Sequence, residues 1–176
     1  MPYRFIYISP TVGITMNLFR WTVVAGMVVG VGACSDATAP ISSTQLGANQ
    51  VRLTVSASSS EVTRGTPVNL HVTLVNEGME AVTLHFGDSC QINPYIRNLG
   101  GEIVLPGGGA WGCLTVLTSL TLAPQGSVSR DYIWRGSTDF ASEMPLRPLP
   151  AGRYFFSAKV PAGEMTLSAG IGITLK

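Results

Sequence analysis

Thr166-Leu167-Ser168-Ala169-Gly170-Ile171-Gly172-Ile173-Thr174-Leu175-Lys176 is the stretch that decides the fold class. Leu167, Ala169, Ile171, Ile173 and Leu175 occupy every second position, and small or polar residues fill the positions between them. An extended chain sends successive side chains to opposite faces, so this strict period of two predicts a strand with one apolar face and one wet face. Wound as a helix, the same residues would scatter their apolar set around the whole circumference.

The same alternation recurs upstream. Val51-Arg52-Leu53-Thr54-Val55 carries it, as do Val68, Leu70, Val72 and Leu74, where Asn76-Glu77-Gly78 stops the strand with turn chemistry. Val82, Leu84 and Phe86 resume it. Tyr95-Ile96-Arg97 and Glu102-Ile103-Val104 flank a turn at Asn98-Leu99-Gly100-Gly101. Thr118 to Leu122 and Ser127 to Trp134 are two further strands, joined through Ala123-Pro124-Gln125-Gly126. Val128, Tyr132 and Trp134 share one face of the second, and Arg130 shares it too, which places that arginine either near the open end of the strand or against a partner. After a loop rich in Ser, Thr and Pro, Pro150-Ala151-Gly152 turns into a strand with Tyr154, Phe156, Ala158 and Val160 on one side. No amphipathic helix competes. Seven to nine one-sided strands must cover their apolar faces in pairs of sheets, so the chain is predicted to be all-β, an immunoglobulin-like antiparallel two-sheet sandwich. Tyr154, just after its turn, fits a tyrosine corner, in which the phenol caps a backbone group at the end of such a sandwich.

Ahead of this domain the sequence changes character. An apolar run from Trp21 ends at Val31-Gly32-Ala33-Cys34, too short to span a hydrocarbon core and preceded by a short basic start, the pattern of an export signal over residues 1–33. The signal is more compact if translation begins at Met16, with Arg20 as its charge. Val31-Gly32-Ala33-Cys34 resembles the lipobox of bacterial lipoproteins. That resemblance implies lipidation of Cys34, cleavage before it, and a membrane contact made through the N-terminal lipid. Ser35 in the following position resembles lipoproteins sent to the outer membrane rather than retained in the inner one. Residues 34–50, mostly Ser, Thr, Ala, Pro, Asn and Gln, bury too little to offset chain ordering and are expected to be a flexible tether, leaving residues 51–176 as the sandwich.

Export frames the cysteines. With Cys34 lipidated, Cys90 and Cys113 remain as an even pair, read as a disulfide in an oxidising compartment or, alternatively, as two buried thiols. Two of the eleven basic residues, Arg4 and Arg20, lie in the leader and all ten acidic residues lie beyond it, so the exported chain is close to neutral. No basic stripe with interleaved aromatics occurs, which argues against a nucleic-acid partner.

Several blocks together resemble the BsuPI-type domain, a family named for an intracellular proteinase inhibitor of Bacillus. They are Thr66-Pro-Val-Asn-Leu-His-Val-Thr-Leu-Val-Asn76, Ala81-Val-Thr-Leu-His-Phe86, Leu122-Ala-Pro-Gln-Gly-Ser127 leading to Tyr132-Ile-Trp134, and Pro150-Ala-Gly-Arg-Tyr154. The resemblance implies a sandwich of about eight strands and, in name, protease inhibition; it supplies no catalytic set. Here the export signal, the cysteine pair and the glycines after Pro106 are additions to the pattern, and Pro124-Gln125-Gly126 stands where Pro-Gly is usual.

Candidate chemistry is sparse. Gly107-Gly108-Gly109-Ala110-Trp111-Gly112 formally matches a dinucleotide fingerprint, but that motif needs a helix after it, and Cys113-Leu114-Thr115-Val116-Leu117 has no helical period. Gly107, Gly108, Gly109, Trp111 and Gly112 read instead as a candidate binding loop, with Trp111 either a core plug beside Cys113 or an exposed anchor. His71 and His85 lie on outer faces without further ligands at zinc spacing. They are cross-strand neighbours in a simple hairpin and far apart in an immunoglobulin-like order. Asp131 and Asp139 are expected to form surface ion pairs with Arg130 and Arg135. No serine elbow or zinc-protease motif appears. The sequence therefore reads as a lipid-anchored cell-envelope module that binds an envelope protein, with no catalytic residues, metal or cofactor; the alternative is a protease inhibitor whose exposed loop blocks an envelope or external protease.

Overall fold

The computed structural model describes residues 41–47, 49–140 and 147–176. The leader, Cys34 and the first part of the expected tether lie outside the described residues. Eleven strands follow one another, with no helix among the described residues. In order they are β1 (Ile41–Leu46), β2 (Val51–Ala57), β3 (Glu61–Val62), β4 (Val68–Asn76), β5 (Val82–Phe86) and β6 (Asn93–Asn98). The remainder are β7 (Ile103–Leu105), β8 (Thr118–Leu122), β9 (Ser127–Trp134), β10 (Gly152–Ala162) and β11 (Met165–Leu175). The nine strands read from alternation are all present. The two additional ones, β1 and β3, have no apolar alternation to announce them.

One sheet runs β1-β2-β4-β9, a second β3-β11-β10-β6-β7, and β5 and β8 pair in a short ribbon. Every pairing is antiparallel except β3 against β11. Alternation is realised as burial: Val51, Leu53 and Val55 of β2, Leu70, Val72 and Leu74 of β4, Phe156 and Val160 of β10, and Leu167, Ile173 and Leu175 of β11 all lie inside. These faces form a single core, to which the ribbon adds Leu84, Phe86 and Leu122. This is the expected all-β sandwich.

Residues 41–46 correct one expectation. Instead of a tether they form β1, paired with β2 from Ile41↔Ala57 to Leu46↔Arg52. Its side chains are mostly exposed, so main-chain bonding to an edge replaces burial as its source of order. Gln45 Oε1 also accepts the backbone N–H of Ser168 at the start of β11, closing that side of the sandwich.

Two polar contacts fix the ends of the fold. The Tyr154 hydroxyl donates to the Pro150 carbonyl at 2.8 Å, which is the expected tyrosine corner. Trp134, fully buried, donates its indole N–H to the Ser137 carbonyl at 2.8 Å, so the largest core side chain carries no unsatisfied donor.

Candidate functional site

β9 is an edge strand, and its inner face holds Val128, Arg130, Tyr132 and Trp134 in register with Leu74, Val72, Leu70 and Val68 of β4. Arg130 and Tyr132 therefore look into the space between the sheets at its open margin. This resolves the arginine's placement: it lies along the free edge of the sandwich, exposed, with its guanidinium bonded to the Ser129 carbonyl at 3.0 Å.

Across the seam stand Asn93 and Pro94, which begin β6, and the segment from Ser89 to Ile92 before them. Between these walls lies a groove of about 310 Å³, closed on one side by Trp111. The Trp111 indole N–H donates to the Pro94 carbonyl at 2.8 Å. Its ring stacks on Phe140 with centroids 6.2 Å apart, and Phe140 in turn meets Tyr132 at 5.0 Å and Phe156 of the core at 6.3 Å. Trp111 is thus half-buried and packed against the core, nearer to the plug than to a free anchor, and also forms a wall of the groove. Burial pushes the Tyr132 phenol above its ordinary pKa, while the Arg130 charge pulls it the other way.

Cys90 and Cys113 form a disulfide, their Cα atoms 5.5 Å apart, which joins the two loop segments at the groove. The alternative of two free thiols is excluded. The Ser89 N–H donates to the Leu114 carbonyl at 3.0 Å, and the Leu114 N–H to the Ser89 hydroxyl at 2.8 Å. Asp88 accepts the Cys90 N–H at 2.8 Å, and its carbonyl accepts the Thr118 hydroxyl at 2.7 Å. Asp88 and the two cysteines lie close enough to suggest three metal ligands, but the disulfide consumes both sulfurs.

Of the candidate loop, Trp111 alone lines the groove; Gly107, Gly108, Gly109 and Gly112 do not. The Gly109 N–H donates to the Pro106 carbonyl at 2.9 Å, and Gly108 and Gly109 take φ of 95° and 83°, so the glycines form the turn that brings Trp111 back. The more exposed feature follows the disulfide. Leu114 and Leu117 are 72% and 84% exposed, and Val116 lies exposed between them. Sequence reasoning passed over these three residues because an apolar run in a β protein reads as buried; only the staple and the two Ser89 bonds show it turned outward.

The histidines are not brought together. β4 and β5 belong to different sheets, and His71 pairs instead with Asp131 of β9. Asp131 therefore does not form the expected pair with Arg130. Ser56, His71 and Asp131 lie opposite one another across β2, β4 and β9. A serine is activated only by a base bonded to it, and among the described residues no hydrogen bond joins Ser56 to His71. The row is a surface His71–Asp131 hydrogen bond beside a serine.

No protein-family model matches the chain. No curated protein matches it. Among solved structures it is similar to a β-glucosidase from Erythrobacter marinus, at 12% identity and a TM-score of 0.40, over 78% of this chain and 16% of that one. It is also similar to a CARDB domain from Pyrococcus furiosus, described in complex with di-metal ions, at 13% identity and a TM-score of 0.42, over 78% and 89% of the two chains. A third is the alkylpurine DNA glycosylase AlkC from Pseudomonas fluorescens, at 14% identity and a TM-score of 0.40, over 68% and 28%. The chain thus spans about one sixth of the glucosidase. Likenesses this distant carry no argument about activity, ligands or partners.

Proposed function

We propose that this chain is a lipid-anchored binding module of the bacterial cell envelope, which works by holding a protein partner rather than by catalysis. The observation that carries the reading is the disulfide-fastened margin, where a groove walled by Trp111 and Tyr132 adjoins an outward-facing Leu114-Thr115-Val116-Leu117. A binding surface gains from such rigidity because less order has to be imposed when the partner arrives. The lipid anchor rests on the lipobox-like Val31-Gly32-Ala33-Cys34 and the outer-membrane sorting on Ser35.

The second reading, protease inhibition, is favoured by the resemblance to the BsuPI-type domain and by the form of residues 113–117. They present two leucines on a backbone held by Cys90 and Ser89, as a substrate-like inhibitory loop requires. An exported inhibitor meets only envelope or external proteases.

Two measurements test these readings. Cells fed a clickable fatty acid should label the wild-type chain and leave the Cys34→Ala variant unlabelled and released from membranes; equal labelling overturns the anchor. The exported chain is then titrated against serine, cysteine and metalloproteases. Tight inhibition that is lost in the Leu114→Asp, Leu117→Asp double variant establishes the inhibitor, and no inhibition of any class at large molar excess removes it.

A further inference from the structure

The free edge of β9 and the groove behind it form one continuous feature. In an antiparallel sheet alternate residues of an edge strand aim their N–H and C=O groups away from the neighbouring strand. β9 bonds to β4 on one side, and among the described residues no strand pairs with its other side. Among the described residues, alternate positions of this eight-residue strand are therefore open to an added strand. Immediately inward lie Arg130 and Tyr132, with Trp111 and Ile92 across from them. Tyr132, Trp111 and Ile92 make this lining largely apolar, whereas Arg130 brings a full positive charge.

Among the described residues, Arg130 has no acidic partner and no acidic residue lines the groove. Asp131, the nearest acid in sequence, faces the other side of the sheet and is held by His71. An inward-pointing charge on an edge strand protects against indiscriminate pairing, because a plain apolar strand would have to bury it uncompensated. The same charge admits a strand that brings a carboxylate to meet it. Rejection of the wrong partner and acceptance of the right one then come from one residue.

We infer that the β9 edge is a strand-addition site for an extended peptide segment of a partner protein, one that carries an Asp or Glu side chain to Arg130 and an apolar side chain between Trp111 and Tyr132. The inference rests on the binding-module reading and names the chemistry of its partner. Main-chain bonds to β9 supply sequence-independent affinity, and the groove supplies the choice. The disulfide belongs to the site because it fixes the segment from Ser89 to Pro94 opposite β9.

The experiment uses the full chain, purified from membranes in detergent, to select from a phage-displayed library of random dodecapeptides. Wild-type protein should enrich sequences with an acidic residue two positions from an apolar one. Arg130→Glu, a surface change that leaves the core untouched, should reverse the enrichment toward basic peptides and weaken the wild-type winners by about tenfold or more. Bound peptide should slow hydrogen exchange of backbone amides in β9. Enriched peptides that lack acidic residues, bind Arg130→Glu equally, or protect a region other than β9 overturn this inference while leaving a protein-binding module intact. Failure to enrich any peptide, with saturable binding of peptidoglycan fragments instead, overturns the inference and the protein-binding reading together.

Discussion

Replacing Cys90 and Cys113 together by serine tests whether the candidate site is held by covalent linkage or by packing. The two cysteines are 23 residues apart, and the chain-entropy cost of closing a loop of that length is about 3 kcal/mol at 25 °C. Around the bond, the reciprocal Ser89–Leu114 hydrogen bonds remain, and each contributes about 1 kcal/mol when ordered. Those local contacts are too few to replace the cross-link, so the double variant should lose about 3 kcal/mol of unfolding free energy in urea, with a steeper urea dependence because the unlinked denatured chain exposes more surface. For a domain of this size that is a fall in melting temperature of about 10 °C.

The loss should be uneven. Trp134 is buried in the core and bonded to Ser137, so its emission should not respond below the unfolding transition. Trp111 depends on the stapled loop, so acrylamide should quench it more readily in the variant, and a Trp111→Phe background identifies which signal changes. A stability change below about 1 kcal/mol, together with unchanged quenching, would show that the Phe140 stack and the Pro94 bond order the loop without the disulfide, and the covalent account of the groove would be wrong.

Asn76 is fully buried, donates to the carbonyls of Glu80, Leu122 and Ala123, and accepts the Gly78 N–H; Asn76→Ala should cost about 2–4 kcal/mol in urea unfolding, and Asn76→Asp, which turns a donor among three carbonyls into an acceptor, should cost more at neutral pH than at pH 4. Arg52 bonds Glu77 through two contacts at 2.6 and 2.7 Å and holds its carboxyl below the ordinary range. That stabilisation is complete above the carboxyl's ordinary pKa and disappears as pH falls through the lowered one, so Arg52→Gln should flatten the acid limb of a melting-temperature profile and leave its neutral limb parallel to wild type. Gly136 has a φ of 75°, and a Cβ there would lie 2.6 Å from Leu175 Cδ1; Gly136→Ala should destabilise by about 2 kcal/mol, measured by thermal melting.

What the sequence revealed and what it concealed have a common physical cause. Alternation is a property of a single strand, so the strands from β2 onward that bury a face, such as β4 and β11, were legible residue by residue. β1 was not, because Ile41-Ser-Ser-Thr-Gln-Leu46 owes its order to main-chain bonds with β2, which leave no mark on side-chain pattern. β3 is two residues held against the end of β11, again by backbone pairing. The candidate site divides in the same way. The even cysteine pair left a disulfide and two buried thiols as alternatives that only the structure separates, and the exceptional position of Arg130 was visible as a charge on an apolar face. Its meaning required knowing that β9 is an edge, which depends on strand order and on no local feature. His71 with Asp131, 60 residues apart, and Asn76 with Leu122 and Ala123 are products of the same non-local pairing.

The exposed Leu114, Val116 and Leu117 bear on the choice between the two functional readings. Three neighbouring apolar side chains in water are an unfavourable arrangement that a free loop would relieve by folding back on the core. Here the disulfide at Cys113 and the bonds from Ser89 to Leu114 prevent that collapse at one end, and the Thr118 hydroxyl bonded to Asp88 prevents it at the other. A broad protein-binding surface gains from restraining this five-residue run only in proportion to the share of its contact that the run supplies. A loop that offers side chains to a partner's pockets gains directly, because each restrained rotamer and backbone angle lowers the entropy lost on binding. If adhesion is the whole function, replacing Leu114 and Leu117 by aspartate should weaken partner capture no more than the same change at the remote exposed residues Met79 and Leu99. If the run is an insertion loop, the two leucines should account for most of the affinity, by a factor of about 100 or more, and the remote pair for almost none of it.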